Sequence, residues 1–355
     1  MKILIVQDYL RSGGTERQTI FLANALSASE NRVTLLTFRP GGQLAGTVSS
    51  RVQRVTLQSP DRGLDWWAPG LVRSVESITP DVVLCMGRLA NCWAGRIART
   101  KLRDGRAPCV VGTMRTGKAL PWFYRRSLKT VNHVVANSHD SERVLNERYG
   151  VPIEKVSVIY NALVAAPTEI TPPSSEEKGE PSEIRLLHVG MFRPEKNQRE
   201  LIELCATLPR EIPWRLELAG DGEELDNCRS LAKRLGLQDR VMFSGYVANP
   251  QALYRHADVA VMSSKSESLS NFLIEAHAHA IPSVAYRAAG VEECGGLVVP
   301  AGDREEFVSK LLPFLHDRDL RRREGKRVQD FALKHFSPAA QVEQYVELFE
   351  RLVVS

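Results

Sequence analysis

The stretch IRLLHVGMFRPEKNQRELIELCATL (184–208) contains the structural unit that the rest of the chain repeats. Its first part, IRLLHVG, is rich in apolar side chains and ends at a glycine, which predicts a buried β-strand. After the turn MFRPEK, the segment NQRELIELCATL has apolar residues close to helical spacing. A strand that leads into a helix in this way is typical of a parallel sheet with helices on both faces.

The same alternation extends along the chain in both directions. Helices are predicted, for example, at TERQTIFLANALSA (15–28) and SNFLIEAHAHA (270–280). Strands are predicted at 3–6, 33–36, 52–57, 81–85, 109–111, 133–138 and 156–160, and then at 184–190, 214–220, 241–245, 258–262, 283–286 and 297–300. The two series predict an α/β protein with two tandem, Rossmann-like, doubly wound domains that face each other across a cleft.

A proline-rich segment separates the two series. APTEITPPSSEEKGEPSE (166–183) has four prolines and no aromatic residue, which predicts a linker between a first domain at 1–165 and a second at 184–336. The remaining residues, 337–355, predict a helix that packs back toward the first domain. Ser337 suits its N-cap and Pro338 its first turn.

The composition is that of a globular protein, with 43% hydrophobic and 25% charged residues among 355. The opening MKILIVQDYL has only a short apolar run, so we interpret it as a first strand and not as a signal peptide. No apolar run approaches the roughly 20 residues that span a bilayer. None of the six cysteines forms a CxxC pair, which favours free thiols in a cytoplasmic protein.

The charge is unevenly distributed. Residues 1–165 hold 23 Lys and Arg against 12 Asp and Glu, and the rest of the chain holds 24 against 30. This asymmetry indicates either an anionic partner for the first half or a solvated basic face. We expect no nucleic-acid partner, because the basic segment lacks a recognisable reading module.

Two predicted strand ends carry groups that suit an anion. RSGGTER (11–17) follows the first strand, and its glycines allow close backbone approach at a helix start. Arg193 and Lys196 lie in the turn after strand 184–190, where an arginine fork and a lysine charge suit phosphate oxygens. AGDGEEL (219–225) lacks the third glycine of a dinucleotide fingerprint, so we interpret it as a tight turn.

The segment SSKSESLSNFLIEAHAHAIPSV (263–284) contains two carboxylates, Glu267 ahead of a predicted helix and Glu275 in its second turn. Ser270 is the predicted N-cap of that helix. The two acids suit the hydroxyl groups of a sugar or ribose, although one capping-region acid and one solvated acid would give the same pattern. The only DxD, at 317–319, sits in a charged helical surface, so we predict no metal site and no cofactor.

These segments resemble, in order and spacing, glycosyltransferases of the GT-B fold, specifically family four, over nearly the whole chain. The motifs that carry the resemblance are GGTER (13–17), VVANS (134–138), VIYNA (158–162), VGMFRPEKN (189–197), AGDGEE (219–224), ADVAVMSS (257–264), the E-x7-E pair and GGLVVPAGD (295–303). The resemblance implies transfer of a sugar from a nucleotide-diphosphate donor with retention of anomeric configuration, usually without a metal. The nucleotide-sugar is then a substrate and not a cofactor, with a UDP-sugar preferred and a GDP-sugar as the alternative.

The resemblance also implies roles for single residues. Arg193 and Lys196 would grip the diphosphate, Glu275 the ribose hydroxyls, and Glu267 the donor sugar near its anomeric centre. Gly14 would let the first domain's loop close onto the donor, and the base would lie after Gly245. The remaining predicted donor-binding residues are Gly190, Tyr246, Ser270, Asn271 and Phe272.

The chain departs from the family pattern at three places. Glu-Ser-Leu-Ser (267–270) stands where many members have Glu-Gly-Phe-Gly, which leaves the identity of the sugar open. Arg115, in GTMRTG, stands where many members have a histidine. The segment AAGVEECGGLVVP (288–300) is shorter than usual, and either Glu292 or Glu293 fills a donor-side role there.

The segment MRTGKALPWFYRRSLKT (114–130) mixes cations with aromatic residues, as interfacial helices do at an anionic membrane. Its predicted acceptor-side or membrane-side residues are Arg115, Lys118, Trp122, Arg125 and Arg126. We therefore expect a cytoplasmic enzyme that is peripheral on the inner face of the membrane and acts on a lipid-linked or envelope glycan acceptor. The alternatives are a GT-B-fold sugar-nucleotide epimerase and a non-catalytic sugar-nucleotide-binding homologue.

Overall fold

The computed structural model describes residues 1–164 and 183–354. Within these ranges the chain forms two compact units, one of residues 1–164 with 338–354 and one of residues 183–337. The predicted linker lies outside the described residues, apart from Glu183.

Thirteen strands lie in the described ranges, and each overlaps a predicted one. They are β1 Lys2–Gln7, β2 Arg32–Thr37, β3 Gln53–Thr56, β4 Val82–Cys85, β5 Cys109–Met114, β6 His133–Ala136, β7 Val156–Val158, β8 Ile184–Val189, β9 Trp214–Ala219, β10 Val241–Gly245, β11 Val259–Met262, β12 Ser283–Tyr286 and β13 Leu297–Val299. The α-helices of the same ranges are α1 Gly14–Ala28, α2 Leu71–Ile78, α3 Arg88–Ile97, α4 Trp122–Thr130, α5 His139–Arg143, α6 Gln198–Ala206, α7 Leu225–Arg234, α8 Gln251–His256, α9 Asn271–Ala278, α10 Arg304–His316, α11 Arg318–His335 and α12 Pro338–Val354.

Each unit contains one parallel sheet with the same winding. The first has the order β3-β2-β1-β4-β5-β6-β7 and the second the order β10-β9-β8-β11-β12-β13. In both sheets the first three strands run outward to one edge, and the following strands continue on the other side of the first. The strand order therefore reverses between β1 and β4 in the first sheet and between β8 and β11 in the second. The predicted pair of doubly wound α/β folds is confirmed. Ligands of such sheets bind at the carboxyl ends of the strands where the order reverses.

The inner strands of the first sheet are buried on both faces, which explains their continuous apolar runs. Successive residues of β1 point to opposite sides. Leu4 and Val6 belong to one hydrophobic cluster, whereas Ile3 and Ile5 belong to another. All four are at most 1% exposed. Helices must therefore cover both faces, as the predicted alternation requires.

Helix α12 belongs to the first unit, although it ends the chain. Tyr345 and Phe349 are buried in the cluster that covers one face of the first sheet. The amide of Gln341 donates to the carbonyl oxygen of Tyr160 at 2.6 Å, and Arg115 donates to the Tyr345 hydroxyl at 2.7 Å. Of the helices in the described ranges, none is both long and apolar enough to cross a membrane.

Candidate functional site

Two loops lie side by side where the strand order of the second sheet reverses. One follows β8 and carries Arg193 and Lys196, and the other follows its neighbour β11 and carries Glu267. The loops are bonded to each other: the Ser263 hydroxyl donates to the carbonyl of Asn197, and the Lys265 amide donates to the carbonyl of Glu195, both at 2.8 Å. The predicted cations and the first predicted acid thus occupy one part of the molecule.

Lys196 and Glu267 form an ion pair. The Lys196 Nζ donates to the Glu267 Oε1 at 2.6 Å, and the Glu267 side chain is only 8% exposed. Arg193 is half-buried in the same loop, and its guanidinium makes no hydrogen bond or ion pair with any described residue. The site therefore contains one neutralised cation and one unpaired cation.

The loop that carries Glu267 packs against a glycine that sequence analysis did not single out. Gly290 has a φ of +71°, and a Cβ on it would lie 1.9 Å from the carbonyl oxygen of Ser268. No side chain fits there, so the backbones of the two segments meet directly. The sequence AAG (288–290) contains this glycine, but nothing in it indicates that Ser268, 22 residues earlier, is its contact.

Helix α9 begins beside Glu267. Ser270 is its N-cap, as predicted, and its hydroxyl accepts from the Leu273 amide at 3.4 Å. Asn271 opens the helix, and Phe272 packs edge-on against the His188 ring, with centroids 5.1 Å apart. Burial lowers the pKa of His188, a residue of β8, to about 4, so this imidazole is neutral near pH 7.

Glu275, in the second turn of α9, is held by a residue that sequence analysis missed. The Tyr254 hydroxyl donates to the Glu275 Oε2 at 2.7 Å. Tyr254 lies on α8 and is 1% exposed, whereas Glu275 is half-buried. Their separation of 21 residues gives no sequence signal, because the contact depends on how α8 packs on α9.

The structure separates the two candidate acids after β12. Glu292 is exposed and pairs with Arg287 at 2.8 Å. Glu293 is close enough to the buried Cys294 to affect it: burial first, and Glu267 and Glu293 in addition, raise the pKa of that thiol to about 12. The contacts of the two acids therefore differ, and which of them fills a donor-side role stays a prediction.

The remaining predicted donor residues follow strand ends at the same edge of the second sheet. Gly190 directly follows β8. Tyr246 follows β10 and is 46% exposed. Because all strands of this sheet are parallel, the edge that holds these residues also holds the Arg193 and Glu267 loops.

The other predicted residues lie in the first unit. Gly14 is the first residue of α1, just after β1. The Arg115 guanidinium bonds to Asn161 and to Tyr345 on α12, so this side chain fastens the last helix, and its acceptor-side role stays a prediction. Lys118 is exposed in the loop before α4.

Helix α4 has two distinct faces. Its buried face holds Tyr124, Ser127 and Leu128. Its exposed face holds Trp122, Phe123, Arg125, Arg126 and Lys129. Trp122 and Phe123 are 61% and 59% exposed, values unusual for large apolar side chains at the start of an ordered helix.

Within residues 1–164 and 183–354, no group of three His, Cys, Asp or Glu side chains is placed to hold a metal ion. Asp317, in the DxD, caps α11 by accepting from the Leu320 amide at 2.8 Å. The AGDGEEL segment forms the predicted turn between β9 and α7.

Two doubly wound units, the second with a cationic loop at its point of strand reversal, define the class of two-domain α/β proteins that hold anionic ligands at sheet edges. Comparison with known proteins gives the family. Residues 12–165 match the model of Glycosyltransferase Family 4, and residues 172–331 match that of Glycosyl transferases group 1. The chain belongs to the GT-B-fold glycosyltransferases and resembles family four, as the sequence motifs predict.

Similar proteins come from several bacteria. The N-acetyl-alpha-D-glucosaminyl L-malate synthase of Bacillus anthracis is 27% identical over 226 residues, which cover 61% of this chain and 58% of that protein. The lipopolysaccharide core biosynthesis glycosyltransferase LpsE of Rhizobium meliloti is 34% identical over 168 residues, or 46% of this chain and 48% of that protein. The chain thus spans about half the length of these relatives.

A solved structure matches over nearly the whole chain. The crystal structure of Anabaena Alr3699/HepE in complex with UDP-glucose has a TM-score of 0.78 and 21% identity, and the match covers 99% of this chain and 100% of that one. This likeness supports the GT-B fold.

Proposed function

We propose that the protein is a retaining glycosyltransferase that moves a sugar from a UDP-sugar to a cell-envelope glycan or a lipid-linked acceptor. The observation that carries the proposal is the arrangement at the ends of β8 and β11. Arg193, which has no ion-pair partner within residues 1–164 and 183–354, lies there in the same loop as the lysine of the Lys196–Glu267 pair. The UDP preference is supported by the complex of the structural neighbour with UDP-glucose.

Arg193 and Lys196 are the proposed diphosphate ligands. When the bond between the sugar and the phosphate breaks, negative charge grows on the leaving diphosphate. Two fixed cations stabilise that charge more in the transition state than in the ground state, which lowers the barrier. They supply the charge that a divalent metal would otherwise supply, so we propose a metal-independent reaction.

The two glutamates are proposed to read hydroxyl groups. Glu275 accepts from the ribose hydroxyls, and Glu267 accepts from hydroxyls of the donor sugar near its anomeric carbon. Glu267 accepts a hydrogen bond from Lys196, so in the proposed complex the diphosphate and the carboxylate share one ammonium group. A lysine ammonium has three donors and can serve both.

Retention follows if the acceptor attacks the face from which the diphosphate leaves. The bond from the anomeric carbon to the phosphate oxygen breaks, and the bond to the acceptor oxygen forms. The acceptor proton passes to the departing phosphate oxygen, so no enzyme nucleophile is required. The proposal needs only that Arg193 and Lys196 hold the leaving group in place while this happens.

The proposed acceptor belongs to the cell envelope, in agreement with the lipopolysaccharide role in the name of the Rhizobium relative. Helix α4 supports an encounter with an anionic membrane surface at the cytoplasmic face. Trp122 and Phe123 project from a helix with exposed cations, and no Asp or Glu occurs between Asp104 and Asp140. Each basic residue near an anionic surface contributes about 1 kcal/mol to attachment.

The transferase proposal is tested with radiolabelled UDP-sugars and an envelope glycan extract, with and without chelator. Transfer in both conditions is expected, and Arg193→Met should abolish most of it. Arg199→Met is the matched control, because Arg199 is exposed on α6. Formation of an isomerised UDP-sugar in the absence of acceptor would instead establish an epimerase. Binding of UDP without any turnover would establish a non-catalytic protein. Loss of transfer with chelator alone would refute metal independence.

The membrane proposal is tested separately by flotation with vesicles of phosphatidylcholine, with or without phosphatidylglycerol. Binding only to the anionic vesicles is expected, and Trp122→Ala with Phe123→Ala should remove it. Trp66→Ala is the matched control, since Trp66 is 62% exposed but its loop contains Asp61 and Asp65 paired with Arg39. Equal loss in the control would contradict a specific role for α4.

A further inference from the structure

The hydroxyl group of the buried Tyr254 makes a hydrogen bond that joins helix α8 to a predicted donor ligand on α9. Its hydroxyl donates at 2.7 Å to a carboxylate that is itself half-buried. Tyr124, also buried, donates instead to a backbone carbonyl at 2.6 Å, which is enough to satisfy a buried phenol. Burial alone therefore does not explain why Tyr254 is bonded to Glu275.

The Tyr254 ring is fixed on two sides. The His279 ring stacks on it with centroids 5.0 Å apart and planes inclined by 30°, and the Phe272 ring lies 6.4 Å away at 25°. His279 is itself anchored, because its Nδ1 lies 2.8 Å from the carbonyl oxygen of Glu275. The phenol thus has little freedom to move, and its hydroxyl defines one position for the Glu275 Oε2.

The bond from Tyr254 fixes the position of one carboxylate oxygen of Glu275. A carboxylate has about four acceptor positions on its two oxygens, so it can bind further hydroxyl groups while the phenol holds it. Tyr254 also lies on α8, which follows the loop after Gly245 that contains Tyr246. The segment between β10 and β11 therefore reaches both the predicted base position and the predicted ribose ligand.

We infer that Tyr254 is a positioning residue that holds the Glu275 carboxylate in the orientation that accepts hydrogen bonds from the two ribose hydroxyls of the bound nucleotide. The inference rests on the proposed function, because it requires that Glu275 binds the ribose. Tyr254 acts through Glu275 and need not touch the nucleotide.

The inference is tested by comparing UDP with 2′,3′-dideoxy-UDP, which lacks both ribose hydroxyls, in titration calorimetry on the full chain. Wild-type protein should prefer UDP. Tyr254→Phe keeps the ring and its stacking but removes the hydroxyl, so it should reduce that preference by about 3- to 10-fold, with dideoxy-UDP binding unchanged. Glu275→Gln should reduce the preference at least as much.

Tyr286→Phe is the matched control. Tyr286 is a buried tyrosine of the same unit whose hydroxyl donates to Glu200 at 3.3 Å, a pair that carries none of the predicted donor ligands. Its loss should leave the ratio of the two affinities unchanged.

The possible results distinguish the ribose-binding role of Glu275 from the positioning role of Tyr254. If wild-type protein binds both nucleotides equally, or if Glu275→Gln keeps the preference, the ribose role of Glu275 is wrong. If Glu275→Gln removes the preference and Tyr254→Phe does not, only the positioning role is overturned. A Tyr254→Phe protein that binds both nucleotides more weakly by the same factor would also overturn it, because that result marks general destabilisation.

Discussion

Replacing Arg193 and Lys196 separately by methionine should have different effects on stability but similar effects on UDP binding. Arg193 has no hydrogen-bond or ion-pair partner among the described residues, whereas Lys196 neutralises a glutamate that is 8% exposed. Methionine is chosen because it keeps a long unbranched side chain and removes only the charge and the donors.

The expected sizes follow from these contacts. Loss of one partner of a fully buried ion pair costs about 3–5 kcal/mol. Lys196 is 29% exposed, so solvent screens part of this loss and a cost of about 2 kcal/mol is expected. For a unit of this size, that lowers the melting temperature by about 4–8 °C. Arg193→Met should change the stability by less than about 0.5 kcal/mol, as surface substitutions usually do.

If both cations bind the diphosphate as proposed, each variant loses a charge-assisted hydrogen bond to phosphate, which is worth about 1.5–3 kcal/mol. The dissociation constant should rise about 10- to 150-fold in both. The assay is differential scanning calorimetry, in which the transition that UDP raises identifies the second unit, followed by titration calorimetry with UDP.

The double variant Lys196→Met with Glu267→Gln supplies the control. A neutral glutamine needs no cation, so the melting temperature should return toward that of wild type while UDP binding stays weak. The reasoning is refuted if Arg193→Met destabilises the protein as much as Lys196→Met, or if the double variant is no more stable than the single one.

Two further predictions concern the surroundings of the site. Gly290→Ala should weaken UDP-sugar binding and lower the melting temperature more than Gly302→Ala does. Both have positive φ, at +71° and +81°, but only at Gly290 would a Cβ meet backbone, the Ser268 oxygen. The free energy of unfolding should fall as the pH drops from about 6.5 to 4, because burial lowers the pKa of His188 to about 4 and the unfolded state then binds more protons. His188→Asn should make this dependence shallower in denaturation at pH 7 and 4.5. It should not abolish it, because burial also lowers the pKa of His133, His277 and His279, and an unchanged slope would contradict the prediction.

The fold was readable from sequence because the central parallel strands, such as β1 and β4, are buried on both faces and so appear as short apolar runs. The positions of Arg193, Lys196 and Glu267 were also readable, since they follow two such runs and parallel strands end at one edge. The hydrogen-bond and ion-pair partners of these residues could not be predicted from the sequence. The Lys196–Glu267 pair joins residues 71 positions apart, and its existence depends on β8 lying beside β11.

Side chains whose contacts depend on how two helices pack leave no recognisable pattern in the sequence. Tyr254 occupies a short helix that reads as ordinary amphipathic sequence, and its bond to Glu275 appears only when α8 packs on α9. The contacts of Arg115 could not be read from the sequence for the same reason. Its guanidinium bonds to the last helix through Tyr345, which is 230 residues away, and its acceptor-side role stays a prediction.

The unequal state of the two cations has a consequence for how the donor is held. Two unpaired cations in one short loop would repel each other, and Glu267 reduces that repulsion by pairing with Lys196. If the diphosphate binds to Arg193 and Lys196 as proposed, it competes with Glu267 for the ammonium of Lys196. The carboxylate that gives up part of this bond gains acceptor capacity, which a sugar hydroxyl can use. On this reasoning the glutamate becomes available to the sugar only when the diphosphate is in place, so UDP should weaken the coupling between Lys196 and Glu267 measured in a double-mutant cycle.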